Sequence, residues 1–146
     1  MNVGSSWKYD DLQFHGVSLS GIRTSIIMPE LHIAFDTAQG FPYLIPMKKF
    51  FISHGHLDHA AGIPYIISQK NLFRMPVAEY YMPASLVEPL TQIMRLWEKI
   101  EKHEYHFKFI GVDLNFFLSN ADKFKMILML FYFFPKSHNL RQGLNQ

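Results

Sequence analysis

Residues 47–53, MKKFFIS, run without a break into HGHLDH at 54–59. Phe50, Phe51 and Ile52 are consecutive, so a strand here has apolar side chains on both faces. Only a strand in the interior of a covered sheet hides both. Such a strand then ends in three histidines and an aspartate within six positions: His54, His56, Asp58 and His59. No fold needs that cluster for packing. Either it is a polar turn that happens to be His-rich, or it is a metal site. Its place at the end of an apolar strand favours the metal.

The spacing carries chemistry. Two positions apart in an extended segment, His54 and His56 project to the same side. Neutral imidazoles so placed can share one metal ion. Asp58 and His59 follow a turn and can reach a second ion. Gly55 lets the backbone approach closely. Nitrogen and carboxylate donors suit zinc, with iron or manganese as alternatives. The chain has no cysteine, so disulfides, thiolate zinc sites and thiol nucleophiles are excluded.

The rest of the chain reads as an α/β arrangement. Residues 12–36 predict short strands: 12–20 alternates loosely, 22–28 is rich in β-branched residues, and 31–36 ends on Asp36. Gly40, Pro42 and Pro46 make 37–46 a loop. A short helix follows the cluster from near Ala60, with Pro64 kinking it or marking its true start. Residues 74–82 read as a strand and 83–102 as the clearest helix. In that helix Leu86, Leu90, Ile93, Met94, Trp97 and Ile100 recur at helical spacing, with Pro89 able to kink its early turns. Residues 105–113 alternate as a further strand. Strands alternating with helices place the chain in the α/β class.

At 146 residues and 49% apolar content the chain is long enough for one domain with a core. A formal net charge of +2 is too small to argue for a nucleic-acid partner by itself. The polar N-terminus has no signal-peptide pattern, and the longest apolar run, 126–134, is far short of the roughly 20 residues of a membrane span. No membrane association and a cytoplasmic location are expected.

The motif SHGHLDH resembles the HxHxDH signature of the metallo-β-lactamase fold, and HIAFDTAQG resembles that family's upstream motif. The stretch from GVSLSGIRTSIIMPELHIAFDTA through the helix at 83–100 is similar to the ribonuclease Z-like branch, the tRNA 3′-end processing endonucleases. The resemblance covers about residues 12–113. It implies an αββα sandwich and a zinc-dependent hydrolase with RNA as partner. Residue by residue, it implies that His54 and His56 bind a first zinc, and Asp58 and His59 a second. Asp58 would also orient or deprotonate the attacking water, and Asp36 would support the metal loop from behind. Ala38 stands where the family often has glycine.

The resemblance also implies groups this sequence does not offer in the expected order. A complete member holds two zinc ions with a further histidine, a bridging aspartate and a last histidine from later strands. Here the later histidines are His103, His106 and His138. The first two read as solvated or packing residues, and the surroundings of His138 do not resemble the family's. Asp113 and Asp122 both precede His138. Residues 1–115 therefore read as the first half of the sandwich. Residues 116–146 read as an atypical tail, the product of truncation or a frameshift. The expectations are at most one weakly held zinc, poor solubility, and a homo-oligomer or complementing chain. The alternative to a hydrolase is an inactive remnant or binding module that keeps part of the metal site.

Overall fold

The computed structural model describes residues 3–113. The sequence readings for 116–146, including the apolar run at 126–134, Asp122 and His138, lie outside the described residues.

The chain forms one mixed α/β sheet whose seven strands lie in sequence order. They are β1 (Ser5–Tyr9), β2 (Leu12–Leu19), β3 (Arg23–Met28), β4 (Ile33–Phe35), β5 (Lys49–Phe51), β6 (Glu79–Pro83) and β7 (Lys108–Val112). The first four pair antiparallel through short turns, and β4 to β7 pair parallel. Parallel neighbours need long crossovers, and two of them carry the helices. Between β5 and β6 lie the single turn α1 (Leu57–Ala60) and α2 (Ile63–Leu72); between β6 and β7 lies α3 (Ala84–Glu101). The third crossover, from β4 to β5, holds only a short 3-10 turn at Pro42–Leu44 inside the expected loop.

β5 is covered on both faces, as its composition requires: Phe50 is fully buried, and Phe51 and Ile52 nearly so. Phe50 stacks on Tyr80 at 4.6 Å, on the face that meets Ile63, Ile66, Ile67 and Met94. On the opposite face Phe51 stacks between Phe35 at 5.7 Å and Tyr81 at 5.0 Å. Aromatic pairs on neighbouring strands add to burial and fix the parallel register.

Three readings need adjustment. The segment SSWKY, taken as a polar lead-in, is an edge strand exposed along its whole length. Its alternating Trp7 and Tyr9 stay exposed, so pairing with β2 and the stacking of Trp7 on Phe14 define it. The helix after the cluster has two parts, and Pro64 marks the start of the longer one. In α3 the inward stripe is Val87, Leu90 and Met94, with Leu86 partly covered; Ile93 and Trp97 are each 41% exposed and Ile100 is 67% exposed. The cause lies in β7. A Cβ on Gly111 would sit 3.1 Å from Ala84 Cα and 3.3 Å from Val87 Cγ2, so the bare glycine draws that side of the helix onto the sheet. Pro89 lies inside α3, which continues past it to Glu101.

Candidate metal centre

The parallel pairing of β4 and β5 builds the site. The register Phe35↔Phe51 puts the residues just after each strand side by side. Asp36 donates its N–H to the Phe51 carbonyl at 2.9 Å, which anchors its buried carboxylate beside Ser53. That carboxylate is fully engaged. Asp36 Oδ1 accepts from the Ser53 N–H at 2.8 Å and lies 2.9 Å from Ser53 Oγ; Oδ2 lies 2.8 Å from the same hydroxyl and 2.7 Å from His59 Nδ1.

His59 reaches Asp36 because α1 turns the chain back. The His56 carbonyl accepts from the N–H groups of His59 and Ala60 at 3.0 and 2.9 Å, which makes one helical turn. Buried Thr37 then clasps the His59 carbonyl with its N–H at 2.7 Å and its hydroxyl at 2.9 Å. Asp36 and Ala38 flank Thr37 with φ of 55° and 45°. Aspartate tolerates the left-handed region, and at Ala38 glycine would take it without cost. The loop packs on Gly62, where a Cβ would lie 2.3 Å from Gly40 N and 2.6 Å from Thr37 O.

The hydrogen-bond network sets the tautomers. Ser53 has one hydroxyl proton, and the carboxylate of Asp36 takes it. Its lone pair therefore faces His54 Nδ1, 3.0 Å away, which must carry a hydrogen. His59 Nδ1 likewise donates to Asp36. Both imidazoles thus use Nδ1 for the brace and turn Nε2 away from it, the arrangement by which a carboxylate or hydroxyl orients a histidine for a metal. Burial, and then the nearby rings of His59 and His56, hold the His54 pKa below its ordinary value, with Asp36 and Asp58 opposing. That favours the neutral, ligand-competent ring.

The expected residues come together in part. The rings of His54 and His56 are 4.6 Å apart, and those of His54 and His59 are 4.1 Å apart. His59 Nε2 lies 3.3 Å from Asp58 Oδ2. Among the described residues no three His, Asp or Glu side chains are arranged to hold one ion together. The donor set fits a divalent metal in kind: two braced imidazoles, an exposed third, and a carboxylate that lies against His59 Nε2. His54, His56, Asp58 and His59 would hold it. His103 and His106 are exposed and far along the chain from this loop.

Sequence reasoning missed Ser53 and Thr37. Residue type gives no signal for either. The usable signal was positional, because a hydroxyl directly after β5 must meet whatever follows β4 in a parallel pair.

These features define an α/β chain with a histidine–aspartate cluster at the carboxyl end of a parallel strand, the usual end for a ligand site in such sheets. No family model matches the sequence. It is 32% identical over 114 residues to tRNase Z TRZ1 of Arabidopsis thaliana, covering 78% of this chain and 41% of that protein. Over 89 residues it is 32% identical to tRNase Z TRZ2, chloroplastic, of the same plant, covering 59% and 25%. Over 99 residues it is 27% identical to the nuclear ribonuclease Z of Triticum aestivum, covering 68% and 56%. The matches support a ribonuclease Z-like relationship, and the chain spans between a quarter and just over half the length of these relatives.

Proposed function

We propose that the chain carries the metal-binding half of a ribonuclease Z-like phosphodiesterase of the metallo-β-lactamase superfamily. Zinc is the ion and the 3′ region of an RNA is the substrate class. The observation that carries this reading is the brace from Asp36 through Ser53 to His54 and His59, which turns the Nε2 of His54 away from Ser53 and sets that of His59 beside Asp58. The relatives' names supply the substrate class: they are called tRNase Z or ribonuclease Z. A bound zinc would supply Lewis-acid polarisation and acidify water. The chain's own residues do the rest. Asp58 orients the attacking water and takes its proton, while Asp36 keeps His59 in the Nδ1–H form and fixes its ring. The proposed location is the cytoplasm.

A second reading is an incomplete centre that needs a second copy or a complementing chain. It draws on the absence, among the described residues, of three side chains set around one point. The two readings part in one experiment. Zinc content is measured on the purified chain and on His56→Ala, and hydrolysis of bis(p-nitrophenyl) phosphate is followed with both. Zinc bound with turnover, both reduced by His56→Ala, supports the phosphodiesterase. Weakly held zinc, at most one per chain and without turnover, supports the incomplete centre. A chain that takes up no zinc refutes both.

A further inference from the structure

A cavity lies at the end of the parallel strands opposite the histidine cluster. It encloses about 340 Å³, within the size range of small-molecule sites. Its walls come from the last turn of α2, the segment leading into β6, and His106 just before β7. The histidine cluster follows the other end of β5, so the two sites do not share residues.

We propose that this cavity binds a phosphate-type oxyanion, free or carried on a mononucleotide, with Lys70 as its buried counter-charge. Lys70 lines the cavity and is 4% exposed. Among the described residues its ammonium has neither a hydrogen bond nor an ion pair. An unpaired ammonium on a largely buried side chain is costly, and proteins keep one where something pairs with it. Tyr80 lines the same space at 1% exposure, and its buried hydroxyl has no hydrogen-bond partner either. Two orphaned donors on one cavity call for an acceptor.

The remaining wall agrees in sign. Arg74 and His106 add two more nitrogen donors near the mouth, and among the described residues no carboxylate lines the space. Glu79, the nearest acid along the chain, is occupied by Lys108 at 2.7 Å and by the Tyr81 hydroxyl at 2.9 Å. Asn71, which also lines the space, spends its side chain on the backbone of Ile67 and His106 and so holds the start of β7 against α2. An ammonium, a guanidinium, an imidazole and a phenol suit a multiply charged oxyanion with several acceptor oxygens. Burial and neighbouring Lys48 both push the Lys70 pKa down, and a bound anion would reverse that strain.

The test is calorimetric titration of the full chain with inorganic phosphate and with adenosine 5′-monophosphate at fixed ionic strength. Expected is saturable binding of one anion per chain. Lys70→Met should weaken it about tenfold or more, the worth of a hydrogen bond to a charged group, and Tyr80→Phe should weaken it less. Lys99→Met on the exposed face of α3 should leave it within about twofold, because that residue does not touch the cavity. Tighter binding of the monophosphate identifies a nucleotide as the source; equal binding identifies the free anion. Lys70→Met removes an unpaired charge for an apolar chain of similar length, so it should fold. Phosphate should raise the unfolding temperature of the parent and not of this variant. Absence of saturable binding by either anion, or equal affinity in Lys70→Met, overturns the proposal.

Discussion

Asp36 meets two demands with one carboxylate: it ties the ends of β4 and β5 together through Ser53, and it holds the His59 ring. The second role predicts a measurable effect. In Asp36→Asn the ring can still accept a hydrogen bond from the amide, but the charge that favours the Nδ1–H tautomer is gone. Zinc affinity, read by competition with a chromophoric chelator, should fall about 10- to 100-fold, the usual loss when a metal ligand's support is removed. Unchanged affinity would take Asp36 out of the support. His54, His56, Asp58 and His59 were legible as a cluster because imidazole and carboxylate groups are seldom packed so densely without a use. Asp36 was a candidate only through the resemblance of HIAFDTAQG to the family's upstream motif, since a strand-end aspartate alone is an ordinary turn residue. Ser53 was invisible, because a serine's role depends on what lies across the sheet and its own sequence neighbourhood does not reveal that.

The elements follow a similar logic. β5 and α3 were readable because their apolar patterns are strong, and the structure keeps both close to their expected bounds. β1 was not, since an exposed edge strand has no buried stripe to show. For α3 the period was legible but its phase was not: eight large apolar residues are shared between two overlapping stripes, and Gly111 on another element decides which one faces inward. That phase is testable. Met94 is 1% exposed and Ile93 is 41% exposed, though they are adjacent. Met94→Ala should cost about 2–5 kcal/mol in urea unfolding, the range for emptying a core site. Ile93→Ala should cost clearly less, and equal losses would show the inward face to be the other stripe.

Across the described residues as a whole, the apolar side chains that α3 turns outward fall mainly in its second half: Ile93, Leu96, Trp97 and Ile100 are 41%, 57%, 41% and 67% exposed. Contiguous apolar surface of this kind promotes association. The full chain should therefore sediment with a concentration-dependent weight average, and Ile100→Lys should shift it toward monomer; ideal monomer behaviour of the parent at tens of micromolar would contradict this. No described helix is long and apolar enough to cross a membrane. The strand order has a further consequence. Each strand pairs with the one made just before it, from β1 through β7. The sheet can grow in the direction of synthesis, with low loop-closure cost in the antiparallel β1 to β4 and a higher one at the long parallel crossovers that follow. The histidine cluster and the carboxylate that braces it are separated by only the span from Asp36 to His59. Those side chains have all left the ribosome before β6, β7 and the Lys70 cavity can exist, so a nascent chain meets metal ions before it can close its second site.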